Sequence, residues 1–316
     1  MRAARLLGGL LVVAGLLAVT SAASPASGPR VVATFRLSSS PQAIVAGDGG
    51  VWVTTLRSLV RLDPRTGRIG RPLRLNPVLG AVAIGGSQLW LARNPIDTGK
   101  AARPPLSQLW SVDTASGRLR RPPIHFQLIA SLGAAAGAVW VTNGDHAQYG
   151  RLFEIDPSRR AIVATLKIPG APSGLVEARG LLWIACSDTG LLFRVDPRTA
   201  TLVGKPIRAG KALLTVAASR KRIWVGDSYQ GAVNSIDAKT GKLITRTKLP
   251  HVSQVAVGEG PVWATVDKPS ELVRLDPKSG HPVGRPLPLP GTVSGLAIGF
   301  GSIWVITGKA VLRVQP

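Results

Sequence analysis

The segment Val139-Trp140-Val141 represents the pattern that decides the fold, because aliphatic-Trp-aliphatic occurs seven times along the 316-residue chain. The seven copies are Val51-Trp52-Val53, Leu89-Trp90-Leu91, Val139-Trp140-Val141, Leu182-Trp183-Ile184, Ile223-Trp224-Val225, Val262-Trp263-Ala264 and Ile303-Trp304-Val305. Their tryptophans are separated by 38, 50, 43, 41, 39 and 41 residues, and of the eight tryptophans only Trp110 falls outside the set. A period of about 40 residues indicates a repeat architecture.

Each repeat has the same order of segments around its tryptophan. An apolar strand such as Gly80-Ala81-Val82-Ala83-Ile84 is followed by a Gly-rich turn, the Trp strand, a variable loop, a third strand such as Leu59-Val60-Arg61-Leu62, a turn and a last strand. Four strands in about 40 residues is the size of one β-propeller blade. The Trp strands are apolar on both sides, as expected for sheets packed between two neighbours. The sequence therefore predicts an all-β, seven-bladed β-propeller.

The turn before the last strand indicates how the ring closes. A turn that begins with Asp recurs in six repeats: four copies end in Gly, as in Asp63-Pro64-Arg65-Thr66-Gly67, and Asp156-Pro157 and Asp196-Pro197 are variants. Asp accepts backbone hydrogen bonds, Pro presets φ and Gly takes a positive φ. The seventh repeat ends with its third strand, Ala310-Val311-Leu312-Arg313-Val314, whereas Arg30 to Leu37 matches the outer strand Ala161 to Ile168 almost residue for residue. We therefore expect residues 30–37 to supply the outer strand of the last blade, which ties down both termini.

The N-terminus predicts export. Arg2 and Arg5 precede an apolar run from Leu6 to Val19 and the small residues Ser21-Ala22-Ala23, the layout of a signal peptide over residues 1–23. An uncleaved signal anchor is the alternative. A short linker over residues 24–29 and a single propeller domain over 30–316 would follow. We expect an extracytoplasmic protein that is secreted or associated with the cell envelope.

The single cysteine, Cys186, rules out an internal disulfide and lies far from the cleavage region, so it could not accept a lipoprotein-type lipid anchor. An inert, half-buried thiol is expected there.

The formal net charge of +23 has two open interpretations. Basic residues on exposed strand edges discourage edge-to-edge pairing. They could equally attach the protein weakly, and in a salt-sensitive way, to anionic envelope polymers or lipid head groups. Nucleic acid is not expected as a partner, because the tryptophans are committed to the core and only two Tyr and five Phe remain for base stacking. We expect a monomer. The basic residues assigned to the last turns and outer strands are Arg65, Arg68, Arg71, Arg74, Arg118, Arg120, Arg121, Arg159, Arg160, Lys167, Arg198, Lys205, Arg208, Lys239, Lys242, Arg246, Lys248, Lys278 and Arg285.

The repeats resemble those of the YVTN-type (YncE-like) propeller proteins. Trp140-Val141-Thr142-Asn143 differs from the YVTN motif only at its first residue, and Arg61-Leu62-Asp63-Pro64-Arg65-Thr66-Gly67 is similar to the strand-and-turn segment of that family. The resemblance covers nearly all of the mature chain and implies the fold. Such repeats serve binding, scaffolding and enzymatic roles alike.

A more distant resemblance is to the streptogramin lyase (virginiamycin B lyase) family, which is also seven-bladed. That family implies a metal-assisted eliminating site, built from His and Glu at the centre of one face. Its usual Trp-Phe-Thr-Glu strand endings are absent, because the strands here end as Val53-Thr54, Val141-Thr142 or Val225-Gly226.

Polar residues of two groups of loops are expected at the mouth of the propeller channel, where loops on a rigid scaffold hold ligands. The loops that join blades contain Ser40, Asn76, Ser131, Ser173, His251, Ser253 and Ser294. The loops after the Trp strands contain Asn143, Asp145, His146, Ser187, Asp188, Asp227, Tyr229, Asp267, Lys268, Glu271 and Lys309. A solvated rim without a ligand is the alternative. The candidate ligand-binding residues are Asn143, Asp145, His146, Asp188, Asp227, Tyr229, Lys268 and Lys309.

An enzymatic alternative rests on His251, Glu271 and Asp267, which lie in or near one blade. Elimination needs a base, an acid and usually a Lewis acid. No cofactor or metal site is predicted from the residues, and a divalent metal is expected only under this lyase alternative. A lactonase-like hydrolase at the same face is a variant of it.

The leading hypothesis is an exported non-enzymatic binding or scaffold propeller of the cell envelope. It would hold a protein or a small-molecule ligand at the channel mouth. The loop from Arg93 to Ser107 accounts for the 50-residue spacing and would be either a lid over this mouth or a mobile excursion.

Overall fold

The computed structural model describes residues 28–75, 80–95, 106–144, 149–258 and 260–316. Their regular secondary structure consists of β-strands alone. No helix in these ranges is long and apolar enough to span a membrane. The predicted signal peptide, Asn76, Asp145, His146 and the middle of the loop over 93–107 lie outside the described residues.

The strands form seven separate sheets. The first strand is β1 (Arg30–Arg36), and blade 1 contains β2 (Pro41–Gly47), β3 (Gly50–Thr55), β4 (Ser58–Leu62) and β5 (Leu73–Arg74). Blade 2 contains β6 (Val82–Gly85), β7 (Gln88–Arg93), β8 (Ser107–Asp113) and β9 (Leu119–Phe126), and blade 3 contains β10 (Ser131–Ala135), β11 (Ala138–Asn143), β12 (Tyr149–Asp156) and β13 (Ala161–Pro169). Blade 4 contains β14 (Pro172–Ala178), β15 (Leu181–Cys186), β16 (Leu191–Asp196), β17 (Thr201–Leu202) and β18 (Ile207–Arg208). Blade 5 contains β19 (Leu213–Ala218), β20 (Arg222–Asp227), β21 (Ala232–Asp237) and β22 (Leu243–Lys248). Blade 6 contains β23 (Val252–Val257), β24 (Val262–Asp267), β25 (Ser270–Leu275) and β26 (Leu287–Pro288), and blade 7 contains β27 (Val293–Gly299), β28 (Ser302–Thr307) and β29 (Ala310–Gln315).

The ring closes as the sequence predicts. Strand β1 pairs antiparallel with β29, from Arg30 opposite Gln315 to Arg36 opposite Ala310, so blade 7 has the order β1-β29-β28-β27. The Phe35 ring lies 6.0 Å from the Trp304 ring, between centroids. The seven-bladed all-β propeller is therefore confirmed, together with its closure by the N-terminal strand.

The packing of the Trp strands explains the repeated pattern. Trp183 belongs to one core cluster with Ile223 and Val225, the two aliphatic residues that flank the tryptophan of the next blade. The same arrangement recurs at all seven blade interfaces, and Trp304 of blade 7 packs with Val51 and Val53 of blade 1. Along a strand, alternate side chains point to opposite sides of the sheet. Each tryptophan therefore faces the following blade while its aliphatic neighbours face the preceding one.

Arginines stack on several of these tryptophans. The guanidinium carbon of Arg61 lies 5.4 Å from the ring centre of Trp52, and that of Arg313 lies 5.5 Å from the ring centre of Trp304. Arg194 over Trp183 and Arg274 over Trp263 repeat the contact at 5.8 and 5.9 Å. Part of the positive charge therefore stabilises the blades through cation–π contacts, a role that the repeat pattern does not reveal.

The remaining basic side chains surround the propeller. All of the basic residues assigned to the last turns and outer strands are exposed except Arg160, whose guanidinium donates hydrogen bonds to the carbonyls of Arg120, Arg121 and Pro122. The ion pairs between described residues are Arg120–Asp113 and Arg159–Asp156, with N···O distances of 3.5 and 3.6 Å. Most of the rim charge is therefore not neutralised by an ion pair within the described chain.

Candidate functional site at the channel mouth

The inner strands of all seven blades line a central channel of about 460 Å³. Its lining is polar but uncharged among the described residues: the hydrogen-bonding side chains are Gln42, Ser131, Ser173, Thr215, Gln254 and Ser294. Several are already engaged, since Ser173 Oγ donates to the Leu213 carbonyl at 2.6 Å and Thr215 Oγ1 accepts from the Val255 N–H at 3.4 Å. The channel therefore offers neutral hydrogen-bonding groups within a strongly basic protein.

A β-bulge at the start of five inner strands shapes the channel mouth. In β14, for example, the pairing register shifts between Pro172 and Gly174, so Ser173 is an additional residue. The same shift occurs in β2, β19, β23 and β27. Bulges commonly re-aim a side chain beside a functional site. The sequence predicts that Ser131, Ser173, Ser253 and Ser294 lie in the loops that join blades, whereas the structure places them within inner strands.

Asp227 lies at the end of β20 and is fully buried. Its carboxylate accepts backbone hydrogen bonds from Lys211 at 2.8 Å, Ala212 at 3.2 Å and Gln230 at 3.1 Å. Gly210 has to be glycine, because a Cβ there would collide with the carboxylate. Asp227 therefore fastens the loop between blades 4 and 5 to the loop after the Trp strand.

Two other loops after Trp strands are fastened in a similar way. Asp188 Oδ1 accepts a hydrogen bond from the Ala171 N–H at 2.8 Å. Asn94 donates to the Ile129 carbonyl at 2.8 Å and accepts from the Ile129 N–H at 3.3 Å. Asn94 was not among the predicted site residues, although its place after the Trp strand of blade 2 is the signal that could have identified it.

The other predicted ligand-binding residues are dispersed around the mouth. Asn143 is buried at the end of β11. Lys268 and Lys309 are exposed in the turns after the Trp strands of blades 6 and 7, and the Lys309 carbonyl accepts a hydrogen bond from the Leu37 N–H at 3.2 Å. These three residues therefore do not share one pocket with Asp188 and Tyr229.

His251, Asp267 and Glu271 occupy blade 6. His251 is exposed and has a φ of 58°. Its carbonyl accepts a hydrogen bond from the Asp267 N–H at 3.1 Å. The Asp267 carboxylate in turn accepts a hydrogen bond from Ser253 Oγ at 3.2 Å. Glu271 pairs with Val266 and Pro288 in the sheet. In the part of the chain that the structure describes, no three His, Cys, Asp or Glu side chains are grouped so that they could hold a metal ion. His251, Asp267 and Glu271 are therefore not grouped as a metal site in this part of the chain.

The structure brings several polar side chains together in a cleft between blades 4 and 5, which we call the blade 4–5 cleft. Its volume is about 410 Å³, and its lining is Ser187, Asp188, Thr189, Arg208, Lys211, Ala212 and Tyr229. The Tyr229 side chain is 74% exposed, and Lys211 Nζ lies 5.2 Å from its ring centre. Arg208 donates to the Thr189 carbonyl at 3.3 Å. Tyr229 and Asp188 were predicted site residues, whereas Lys211 was missed and Arg208 was assigned only to the outer rim.

Cys186 ends β15, directly before the cleft residue Ser187, and is fully buried. Burial, with a smaller contribution from the Asp188 charge, raises the pKa of the thiol to about 12. Since the thiolate is the nucleophile and the metal ligand, burial disfavours the reactive form of this cysteine.

The sequence matches no protein-family model and no curated protein. Among solved structures, a structure of U3-55K aligns with 91% of this chain and 98% of its own at a TM-score of 0.72 and 13% identity. A streptogramin B lyase structure covers 91% of this chain and 97% of its own (TM-score 0.71, 15% identity). Virginiamycin B lyase from Staphylococcus aureus covers 91% and 99% with the same TM-score and identity. At such low identity these likenesses show the fold alone, which is that of a seven-bladed β-propeller.

Proposed function

We propose that this chain is a non-enzymatic binding or scaffold propeller, exported to the cell envelope, whose partner is a protein held at the channel mouth in the blade 4–5 cleft. The observation that supports this function is the exposed Tyr229 beside Lys211 and Arg208. Tyr and Arg are enriched among the residues that dominate binding energy in protein interfaces. The export step of the proposal rests on the signal-like sequence of residues 1–23.

The arrangement around the cleft favours binding over catalysis. The Asp227 carboxylate is buried and accepts three backbone hydrogen bonds. One oxygen of Asp188 is engaged with the Ala171 N–H. Such carboxylates hold the cleft walls in place, and a rigid wall beside an exposed aromatic side chain lowers the entropic cost of docking.

The test is photo-crosslinking in cells that produce the protein with a photoreactive amino acid at position 229. Phe300 is the matched control, because it is an exposed aromatic residue of a turn between the first two strands of blade 7. We expect a discrete adduct from position 229 and none from position 300. The affinity of the partner identified in this way should fall about tenfold or more in Tyr229→Ala and stay unchanged in Phe300→Ala. The same adduct from both positions, or none from position 229, would contradict the proposal.

The lyase and lactonase alternatives are tested directly by turnover. The fold is shared with a streptogramin B lyase, so the purified protein is incubated with streptogramin B and a divalent metal, and separately with a lactone probe. We expect no turnover above that of the buffer. Turnover that disappears in His251→Ala or Glu271→Ala would replace the binding proposal with the enzymatic one.

A further inference from the structure

The outer strands of blades 1, 4 and 6 are interrupted at one shared sequence. The three interruptions are Gly70-Arg71-Pro72-Leu73, Gly204-Lys205-Pro206-Ile207 and Gly284-Arg285-Pro286-Leu287. Proline has no N–H to donate to a sheet ladder, and the strands β5, β17, β18 and β26 at these places are two residues long. In blade 1 only Leu73 and Arg74, together with an isolated bridge from Ile69 to Leu62, pair with β4. The interruption therefore leaves a gap beside the third strand of the blade.

The arginine of the third strand decides whether this gap is filled. In blade 4, Arg194 Nη2 donates to the Lys205 carbonyl at 3.4 Å, and a Cβ at Gly204 would collide with that nitrogen. In blade 1, Arg61 Nη2 instead donates to the Gly49 carbonyl at 2.9 Å, in the turn between β2 and β3. The gap of blade 1 is consequently open.

The open gap forms a groove of about 820 Å³ between blade 1 and the turn of blade 2 over residues 114–117. We call it the arginine groove, because Arg61, Arg71 and Arg74 line it together with the hydroxyl-bearing Thr114 and Ser116. Arg71 and Arg74 are exposed, and none of the three arginines belongs to an ion pair of the described residues. The described lining contains no carboxylate.

The carboxylates closest in sequence to the groove residues already accept hydrogen bonds within the chain. Asp48 accepts a hydrogen bond from Thr114 Oγ1 at 3.3 Å. Asp113 accepts from Ser116 and pairs with Arg120 at 3.5 Å. Asp63 accepts from the N–H groups of the turn that follows it. The groove therefore presents guanidinium groups that lack a counter-ion among its lining residues.

The tryptophan of blade 1 shows independently that this blade is more open than the others. Trp52 lines the groove and is 5% exposed, whereas the other six repeat tryptophans are at most 1% exposed. Its buried indole N–H has no acceptor in the described part of the chain. In Trp90, Trp140 and Trp183 the corresponding N–H donates to the carbonyl five residues earlier.

We propose that the arginine groove binds a linear, phosphate-bearing polymer. Planar guanidinium groups match the oxygens of a phosphate in a forked geometry. The hydroxyl groups of Thr114 and Ser116 already donate to Asp48 and Asp113, so the arginines are the groups that recognise the phosphate. The polymer form follows from the position of the rim charges. Exposed basic residues occur on the outer strands all around the ring, so a planar membrane could meet only an arc of them, whereas a flexible chain can follow the circumference.

The test measures the affinity of the full folded chain for fluorescently labelled inorganic polyphosphate by anisotropy at several salt concentrations. The double variant Arg71→Ala/Arg74→Ala should bind about tenfold more weakly at low salt, since two charged contacts are lost. Each phosphate contact on a single strand contributes roughly 0.7 to the slope of log affinity against log salt concentration. Loss of two contacts should therefore reduce the magnitude of this slope by about 1.4. Both arginines are exposed, so circular dichroism should show unchanged folding.

The matched control is Lys205→Ala/Arg198→Ala, which removes the same charge from blade 4, where Arg194 fills the gap. We expect a less than threefold loss of affinity in this variant and no loss in Tyr229→Ala, which separates the groove from the channel mouth. An equal loss of affinity in the two double variants would show that binding depends on diffuse positive charge, and it would overturn the arginine groove as the binding site. Binding to phosphatidylglycerol vesicles but not to polyphosphate would overturn the proposal that the ligand is a phosphate-bearing polymer. Tighter binding to polyglutamate than to polyphosphate would overturn it as well.

Discussion

Asp227 shows how a single buried side chain shapes the candidate site. Its carboxylate accepts three backbone hydrogen bonds from the two loops that form the blade 4–5 cleft. In Asp227→Ala these N–H groups lose their acceptor, and a buried donor without a partner costs about 1–3 kcal/mol. We expect the free energy of unfolding to fall by about 3 kcal/mol, as measured by urea denaturation.

Asp188→Ala is the comparison for that variant. Asp188 is exposed, and a single hydrogen bond to Ala171 holds its carboxylate, so we expect a loss of about 1 kcal/mol. Equal stability of Asp227→Ala and the unmodified chain would show that the carboxylate does not fasten the loops.

The sequence could place these aspartates but not assign their role. Asp227 ends the Trp strand of blade 5, and Asp188 lies two residues after the Trp strand of blade 4, so the spacing of the tryptophans predicts where these aspartates lie along the chain. Whether a carboxylate faces a ligand or a backbone N–H depends on the path of the neighbouring loop, which Gly210 permits by leaving room for the Asp227 oxygens. That path is fixed by tertiary contacts, which the repeat pattern does not contain. For the same reason Lys211 was missed.

The turns between the third and outer strands predict how stability depends on pH. Asp63, Asp237 and Asp276 each accept hydrogen bonds from the N–H groups two and three residues later, and these bonds lower the pKa of each carboxyl group below its usual value. A lowered folded-state pKa stabilises the fold above the ordinary aspartate pKa of about 3.9, and this contribution is lost as the pH falls through the folded-state value. We therefore expect the thermal unfolding midpoint to fall between pH 5 and pH 2.

The triple variant Asp63→Asn/Asp237→Asn/Asp276→Asn should lose part of this acid sensitivity, because the amide oxygen still accepts the N–H groups but does not titrate. Its midpoint should change less between pH 5 and pH 2 than that of the unmodified chain in the same scans. Burial raises the pKa of Glu154, so that residue acts in the opposite direction and does not mimic the effect. An identical acid response in the two proteins would rule out the turns as its source.

At the scale of strands, the period of the sequence predicts the four-stranded unit but not its irregularities. The alternation of Trp and aliphatic residues identifies the second strand of each blade. The Trp side of this strand packs against the following blade, and the aliphatic side packs against the preceding one. A bulge such as that at Ser173 adds one residue and interrupts this alternation, so the first residues of the inner strand are indistinguishable from a loop. The interrupted outer strands share a Gly-basic-Pro sequence, yet only the orientation of Arg61 or Arg194 decides whether the gap is open.

For the whole molecule, ring closure matters because every blade depends on the next. Trp304 of blade 7 packs with Val51 and Val53 of blade 1, and the same cluster contains Leu37 and the partly buried Phe35 from the N-terminal segment. Strand β1 also covers the edge of β29. An uncovered edge strand offers unpaired N–H and C=O groups to other chains. The N-terminal strand therefore protects one blade interface as well as one sheet edge.

A chain beginning at residue 38 should consequently have an open ring. Compared with a chain beginning at residue 28, we expect hydrogen exchange to lose protection first at Val311 to Val314, and size-exclusion chromatography to show association. A synthetic peptide of residues 28–38 should reverse both effects, because a ligand at a hundredfold excess over its dissociation constant stabilises the folded state by about 2.7 kcal/mol. A Phe35→Ala peptide, which lacks the ring that lies 6.0 Å from Trp304, should require a higher concentration. A truncated chain that stays monomeric, with its unfolding midpoint unchanged and insensitive to the peptide, would show that blade 7 holds the ring without its outer strand.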